Sequence, residues 1–108
     1  MKPKIYAIDF DGTLCKNAYP EIGEPNVAMI EYVKAIRQLG HKLILWTCRE
    51  GADLEKAVSW CADQGITFDA VNDNLEETKQ WFGGNSRKIV ADYYIDDRAI
   101  QAFSALPL

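Results

Sequence analysis

Two aspartates near the N-terminus, Asp9 and Asp11, stand one residue apart directly after the apolar run Ile5-Tyr6-Ala7-Ile8. Such a run is typical of a strand that is buried on both faces of a parallel sheet. Side chains two apart on an extended segment point the same way, so both carboxylates are expected to project together, with Gly12 allowing a sharp turn after them. Their repulsion, about 1–4 kcal/mol at surface-like dielectric, is relieved by a divalent cation. The motif alone also fits an acidic turn that binds no cation, so the two interpretations have to be distinguished by the rest of the sequence.

Reactive polar groups follow two further apolar runs of the chain. Thr47 follows residues 43–46, and the adjacent pair Asp96 and Asp97 follows residues 92–95. In a parallel sheet these strand ends lie along one edge, which is where ligands bind in open α/β folds. Carboxylates that converge there would repel without a cation, and an all-oxygen ligand set suits Mg²⁺ better than zinc or copper. The sequence therefore predicts a magnesium site whose candidate ligands are Asp9, Asp11, Asp96 and Asp97.

Alternating strands and helices are predicted to position these groups. After the first strand we expect a polar loop at residues 15–25 and a helix from Val27, with Asn26 as its N-cap and Gly40 as its stop. A strand at residues 43–46, a helix after Gly51, a weaker strand at residues 66–71 and a short helix at residues 75–82 follow. A strand at residues 92–95 and a short helix after Arg98 complete the chain. This order predicts an α/β fold with a doubly wound, Rossmann-like parallel sheet, helices on both faces, and one domain over residues 1–108.

The composition is that of a globular protein, with 108 residues of which 48% are hydrophobic. The formal net charge of -4 argues against a general nucleic-acid or membrane-surface binder, because both classes need a basic face. It still allows a phosphorylated substrate at a local site formed by a metal and an arginine. Three tryptophans are expected in or over the core, namely Trp46, Trp60 and Trp81.

Features that would direct the chain to a membrane or an oxidising compartment are not evident in the sequence. No apolar segment approaches the roughly 18 residues that span a bilayer, and Met1-Lys2-Pro3-Lys4 does not begin a signal peptide. The cysteines are odd in number and scattered, which disfavours a disulfide framework or a zinc site: Cys15, Cys48 and Cys61. We therefore expect a cytoplasmic protein.

The polar motifs carry a family resemblance. Asp9-Phe10-Asp11-Gly12-Thr13-Leu14 resembles the first motif, DxDGT(L/V), of the haloacid dehalogenase superfamily of phosphohydrolases. Thr47 after an apolar strand resembles the second motif, and Ile95-Asp96-Asp97 resembles the fourth. The segment Ala91-Asp92-Tyr93-Tyr94-Ile95-Asp96-Asp97-Arg98 is also similar to that of the deoxyribonucleotidase and polynucleotide phosphatase branches. The resemblance implies a haloacid dehalogenase-like fold.

The resemblance also implies a role for each matched residue. Asp9 would attack phosphorus and become an aspartyl-phosphate. Asp11 would protonate the leaving oxygen and then activate water, while its backbone carbonyl binds magnesium. Thr47 would donate its hydroxyl to a phosphoryl oxygen, and Asp96 and Asp97 would complete the metal site. Mg²⁺ would neutralise the charge between the phosphate and the carboxylate nucleophile.

The sequence leaves two questions about cationic residues open, namely which lysine belongs to the site and what Arg49 does. The family needs a lysine, and Lys88 is preferred over its rival Lys79 if residues 89–91 form a connector. A continuous strand over residues 89–95 would instead place Lys88 about 20 Å from the acidic pair, at about 3.3 Å per residue. Arg49 either clamps a substrate phosphate in bidentate fashion or is a surface arginine at the start of a helix.

The spacing of the motifs leaves no room for the cap domain that selects substrates in this superfamily. An open site accepts a phosphate on a large partner such as a polynucleotide end, or it is covered by a second subunit of a homo-oligomer. We therefore predict a small, capless, Mg²⁺-dependent phosphomonoester hydrolase that acts on a nucleotide or polynucleotide phosphate. The alternatives are a receiver-like, phospho-accepting signalling module, whose motifs usually come in another order, and a metal-binding relative with little catalysis.

Overall fold

A four-stranded parallel sheet, three helices and a two-stranded hairpin make up the computed structural model, which describes residues 2–103. In chain order the elements are β1 (Ile5–Ile8), β2 (Cys15–Ala18), β3 (Glu21–Pro25), α1 (Val27–Gln38), β4 (Lys42–Leu45), α2 (Gly51–Asp63), β5 (Ala70–Val71), α3 (Glu76–Phe82) and β6 (Tyr93–Ile95). The strand order is β5-β4-β1-β6, and all neighbours in this sheet run parallel. The predicted α/β class with a parallel sheet is confirmed.

Two apolar clusters, one on each face of the sheet, form the core. Along β1, Ile8 belongs to one cluster and its neighbour Ala7 to the other, as the alternation of strand side chains requires. The first cluster contains the buried residues of α1 and α2, which are Ile30, Val33, Ile36, Ala57 and Cys61. The second cluster contains Leu75 and Ile89. Each large aliphatic side chain that is fully buried in this way contributes about 1.5–3 kcal/mol.

Helix α1 begins and ends where the sequence predicts. The Asn26 side chain accepts a hydrogen bond from the Met29 backbone N–H at 3.3 Å, which is the expected N-cap contact. The same side chain donates to the Thr13 carbonyl oxygen at 2.9 Å, so the start of α1 is attached to the segment that follows β1. Gly40, just beyond the helix, has a φ of +92°, a conformation that glycine adopts without strain.

The predicted loop at residues 15–25 is wrong, because this segment forms the antiparallel hairpin of β2 and β3. Ala18 pairs with Glu21, so Tyr19 and Pro20 are the two turn residues. This dipeptide is not one of the Asn-Gly or Asp-Gly signals that mark short hairpins, and most of β2 is polar and exposed. The hairpin therefore has no clear signature in the sequence.

Three smaller predictions also differ from the structure. The third strand is confined to β5, because residues 66–69 precede it without strand pairing. The helix expected after Arg98 is absent as far as residue 103, and residues 104–108 lie outside the described part of the chain. Trp81 is 84% exposed and does not belong to the core. Within residues 2–103, no helix is long and apolar enough to span a membrane.

Candidate active site at the carboxyl edge of the sheet

The carboxyl ends of β1, β4 and β6 lie side by side, because Ile8 is in register with Leu45 on one side and with Ile95 on the other. The backbone N–H of Asp9 donates to the Ile95 carbonyl oxygen at 2.9 Å, and the Trp46 N–H donates to the Ile8 carbonyl oxygen at 2.9 Å. The pairing therefore continues just past the strand ends. It brings the segments that carry the predicted site residues to one edge.

Three carboxylates meet at this edge and are called the aspartate cluster here: Asp9, Asp96 and Asp97. One oxygen of each lies within 4.8 Å of the others. Burial and the negative charge of Asp96 raise the pKa of Asp9 to about 6, with Asp97 adding to the effect. Hydrogen bonds from the Phe10 backbone and from the Thr13 hydroxyl, at 3.2 Å, act in the opposite direction. The cluster therefore carries repulsion that a cation would relieve.

Gly12 allows the cluster to form. Its φ is +89°, and a Cβ atom at this position would lie 2.3 Å from Oδ2 of Asp97. Real Cβ atoms do not approach oxygen so closely, so any other residue at position 12 would displace the Asp97 carboxylate or the turn. The expected sharp turn is confirmed, and the close approach to Asp97 is an additional reason for glycine.

Asp11 does not belong to the aspartate cluster, although Asp9 and Asp11 line a common cleft. Strand β1 ends at Ile8, and the chain then turns, with the N–H groups of Thr13 and Leu14 both donating to the Phe10 carbonyl oxygen. The alternation of strand side chains therefore stops before Asp11. Its carboxylate lies outside the aspartate cluster, and its implied contact with magnesium through the backbone carbonyl stays a prediction.

Arg49 holds the Asp11 carboxylate in a bidentate ion pair. Its Nε donates to Oδ2 and its Nη2 to Oδ1, both at 2.8 Å. The other N–H groups donate to backbone carbonyl oxygens of Pro20 at 3.1 Å, Glu21 at 2.9 Å and Asp53 at 3.4 Å. All five guanidinium N–H groups thus have acceptors.

The burial of Arg49 bears on its two alternative roles, which were a phosphate clamp and a surface arginine at the start of a helix. Only 2% of the residue is exposed, so the surface-arginine alternative is wrong. Its guanidinium carbon lies 5.1 Å from the ring centroids of both Phe10 and Tyr19. The phosphate-clamp role stays a prediction, and in this arrangement no guanidinium N–H is left for a phosphate.

Thr47 lies at the same edge, as predicted, and its loop is held by Asn72. The Thr47 N–H donates to the Asn72 side-chain oxygen at 2.8 Å, and the Asn72 amide donates to the Arg49 carbonyl oxygen at 3.3 Å. The Thr47 hydroxyl oxygen accepts a hydrogen bond from the Arg49 N–H at 3.2 Å. This bond leaves the Thr47 hydroxyl proton free to be donated to a ligand.

Two open clefts meet at the aspartate cluster and share the lining residues Asp9, Thr47, Cys48 and Asp96. The first, called the loop cleft, has a volume of about 530 Å³ and is further lined by Trp46, Asn72, Asp73, Asn85, Ser86, Arg87 and Ile89. The second, called the hairpin cleft, has a volume of about 480 Å³ and is further lined by Asp11, Asn17, Tyr19, Arg49, Asp97 and Arg98. A ligand at Asp9 can therefore extend to either side.

Neither candidate lysine lines these clefts. Residues 89–91 are a connector rather than a strand, which is the condition that the prediction set for Lys88. The Lys88 ammonium nevertheless lies 5.7 Å from the centre of the Tyr94 ring. Lys79 donates to Asp73, a residue that lines the loop cleft, at 2.7 Å. Lys88 and Lys79 therefore both stay predictions.

The segment after α3 contributes cleft residues that sequence reasoning missed, with Arg87 as its cation. Asn74, which is buried, organises this segment. Its amide nitrogen donates to the Asn85 side chain at 2.9 Å and to the Ser86 carbonyl oxygen at 3.1 Å. Its side-chain oxygen accepts from the Val90 N–H at 2.7 Å. The Asn-rich run before α3 was a signal for a turn, but not for these contacts across 11 or more residues.

Among solved structures, the chain is similar to a conserved protein from Bacteroides thetaiotaomicron, with 42% sequence identity. The match covers 92% of this chain and 79% of that one, with a TM-score of 0.82. Comparisons with family models and with curated proteins found no match. The Bacteroides protein is described only as conserved, so the similarity concerns family and fold.

Proposed function

We propose that this chain, which belongs to the same family as the conserved protein from Bacteroides thetaiotaomicron, is a Mg²⁺-dependent phosphomonoester hydrolase. The observation that supports the proposal is the meeting of the aspartate cluster with Thr47 at the carboxyl edge of the sheet. The proposal includes a doubly wound, haloacid dehalogenase-like architecture without a cap. Only the hairpin lies between β1 and α1, which agrees with a capless form.

The aspartate cluster fits a magnesium ion. Its donors are all carboxylate oxygens, which Mg²⁺ prefers. Burial, together with the negative charge of Asp96, raises the pKa of Asp9. Asp9, Asp96 and Asp97 would hold the ion. When bound, the ion supplies positive charge that offsets the charge of the phosphate and of the attacking carboxylate.

The first proposed step transfers the phosphoryl group to the protein. A carboxylate oxygen of Asp9 attacks phosphorus, and the bond between phosphorus and the leaving oxygen breaks. Asp11 gives its proton to that oxygen, so the leaving group departs as a neutral alcohol or phenol. The Thr47 hydroxyl donates a hydrogen bond to a phosphoryl oxygen throughout.

The second proposed step restores the protein. A water oxygen attacks phosphorus of the aspartyl-phosphate, Asp11 takes a proton from that water, and the bond between phosphorus and the Asp9 oxygen breaks. Inorganic phosphate leaves, Asp9 is again a carboxylate, and Asp11 is protonated for the next cycle. No other reactant is needed.

A nucleotide or polynucleotide phosphate is the proposed substrate class. The likeness of residues 91–98 to the deoxyribonucleotidase and polynucleotide phosphatase branches supports it, as do the two open clefts beside Asp9. A panel of nucleotides, 3′-phosphate oligonucleotides and sugar phosphates tests this part. A preference for sugar phosphates over every nucleotide would contradict it.

The reaction itself is tested with nitrophenyl phosphate and the purified protein. We expect hydrolysis with Mg²⁺ and none with EDTA. Asp9→Asn should lower kcat/KM at least about 100-fold, which is about 2.7 kcal/mol of barrier. Asp63→Asn, at the exposed end of α2, is the matched control and should retain full activity. Equal turnover by Asp9→Asn and the wild type would refute the proposal.

A further inference from the structure

We propose that Arg49 is a positioning residue. It holds the Asp11 carboxyl group in a fixed orientation in the hairpin cleft, and it links this group to the hairpin turn. This inference rests on the proposed function, because it assumes that Asp11 exchanges a proton with the leaving group and with water. It concerns a role that Arg49 performs through Asp11 and not through the substrate phosphate.

The contacts of Arg49 connect three parts of the chain. The planar fork binds both oxygens of Asp11, so it fixes the plane of the carboxyl group as well as its position. Its remaining donors bind the hairpin turn, at the carbonyl oxygens of Pro20 and Glu21, and α2, at that of Asp53. A lysine ammonium could replace the charge but not this planar geometry.

The ion pair with Arg49 covers only part of the Asp11 carboxyl group. A carboxyl group offers about four lone-pair sites, and the fork of Arg49 occupies two of them. Asp11 lines the hairpin cleft and not the loop cleft, while Asp9 lines both. The leaving oxygen must contact both residues, so the leaving group belongs in the hairpin cleft.

Stability alone is a weak reason for this arrangement. Removing two charges from water costs free energy, and well-packed apolar residues often replace a buried ion pair without loss. The Arg49 side chain is 1% exposed and that of Asp11 17% exposed, so the desolvation is nearly complete on one side only. A carboxyl group that is held rigidly but still reaches the cleft is the arrangement that proton transfer requires.

The hairpin turn is coupled to the same arginine. The Arg49 guanidinium carbon lies 5.1 Å from the centre of the Tyr19 ring, and the Tyr19 hydroxyl donates to the Asp53 side chain at 3.3 Å. Together with the carbonyl oxygens of Pro20 and Glu21, this places the whole turn against Arg49. Arg49 therefore links the hairpin turn to the Asp11 carboxyl group.

The test compares two phosphate esters that need the acid to different degrees. An alkyl phosphate has a poor leaving group and depends strongly on the proton from Asp11, whereas nitrophenyl phosphate has a stable phenolate as its leaving group and depends on that proton much less. The readout is kcat/KM, which reports the steps up to phosphoryl transfer and so excludes the later hydrolysis of the aspartyl-phosphate. Asp11→Asn sets the reference pattern, with a loss on the alkyl ester that is about 100-fold greater than on the nitrophenyl ester.

Arg49→Gln and Arg49→Lys are expected to reproduce this pattern, with a loss on the alkyl ester at least about 10-fold greater than on the nitrophenyl ester. Arg49→Lys keeps the charge and most of the side-chain volume, so it serves if Arg49→Gln does not fold. Arg37→Gln removes an arginine from the ion pair at the opposite edge of the sheet and should leave both esters unaffected.

The outcomes separate this inference from the proposed function. Equal losses on both esters in the Arg49 variants would overturn the positioning role, while the hydrolase proposal would stand on Asp9→Asn. A wild-type protein that hydrolyses neither ester in Mg²⁺ would overturn the proposed function and this inference with it. Rescue of the alkyl ester by Arg49→Lys to wild-type kcat/KM would also contradict the need for the planar fork.

Discussion

Two arginine–aspartate ion pairs lie at opposite edges of the same sheet and have different roles. At the amino edge, Arg37 of α1 pairs with Asp69, which also accepts a hydrogen bond from the Leu43 N–H of β4 at 2.8 Å. At the carboxyl edge, Arg49 pairs with Asp11 beside the aspartate cluster. The first pair attaches a helix and the start of β5 to the sheet. The second pair lines the hairpin cleft, and its aspartate, Asp11, is the residue proposed for proton transfer.

The two edges also differ in how well the charge of their aspartates is compensated by neighbouring groups. Burial tends to raise the pKa of Asp69, but the hydrogen bonds from the Leu43 backbone and from Arg37 outweigh it, so that this pKa is lowered. Burial and the neighbouring carboxylate of Asp96 instead raise the pKa of Asp9 to about 6. Compensated charge at one edge and uncompensated charge at the other is a physical mark of a functional site.

The largest expected difference between the edges is the cost of breaking each pair. Arg49→Met should lower the free energy of unfolding by about 3 kcal/mol, because it leaves a largely buried carboxylate without its partner. Arg37→Met should cost about 1 kcal/mol or less, because the Arg37 side chain is 36% exposed. Urea unfolding of both variants measures the difference. Equal costs would show that the two pairs are energetically alike.

Magnesium should stabilise the protein through the carboxyl edge alone. At a concentration 100 times the dissociation constant, we expect a gain of about 2.7 kcal/mol in the free energy of unfolding. Asp96→Asn should lose most of this gain, whereas Asp69→Asn should keep all of it. The measurement is urea unfolding with Mg²⁺ and with EDTA. A full Mg²⁺ response in Asp96→Asn would place the ion elsewhere.

The two edges should respond to pH with opposite signs in EDTA. The pKa of Asp9 is higher in the folded state, so its ionisation lowers stability as pH rises from about 4 to 7. Asp9→Asn should then exceed the wild type by about 2 kcal/mol above pH 6 and match it below about pH 4. The pKa of Asp69 is lowered, so its contribution is present above about pH 4 and is lost as pH falls further. Unfolding free energies of the wild type and of both asparagine variants from about pH 2 to about pH 8 check the signs, and parallel curves would contradict them.

Two glycines with left-handed backbone provide the finest comparison. Gly12 and Gly40 have φ values of +89° and +92°, so alanine at either should cost about 1 kcal/mol. Only the alanine at position 12 meets another group, because Asp97 lies against it and nothing lies within 4 Å of position 40. Gly12→Ala should also weaken Mg²⁺ binding at least about 10-fold, and Gly40→Ala should not. Isothermal titration of both variants with Mg²⁺ decides it, and equal affinities would contradict the role given to Gly12.

Elements with a strong local pattern were predictable from the sequence. β1, α1 and β4 have continuous or helically spaced apolar residues, and Asn26 and Gly40 mark the limits of α1. The carboxyl edge was predictable too, because parallel strands bring their ends together whatever their order. The hairpin was not, since its pairing depends on backbone groups and its turn, Tyr19 and Pro20, has no common signal.

The long-range contacts of the site were beyond sequence reasoning. Arg49 and Asp11 are 38 positions apart, and nothing in either local pattern indicates that they pair. The alternation of strand side chains could not indicate this pairing, because the chain leaves the strand conformation before it reaches Asp11. Arg87 lines the loop cleft through a segment that Asn74 arranges, and such a contact network is a property of the fold.

The most direct test of the account is whether Asp9 carries the phosphoryl group during turnover. The protein is mixed with Mg²⁺ and nitrophenyl phosphate and quenched in acid, and the peptides are then analysed by mass spectrometry. We predict a phosphoryl group on Asp9 while substrate lasts, its loss when substrate is exhausted, and none in Asp9→Asn. A phosphoryl group that persists on Asp9 without turnover would favour the receiver-like alternative. Turnover with Asp9 unmodified, and equal in Asp9→Asn, would contradict the account.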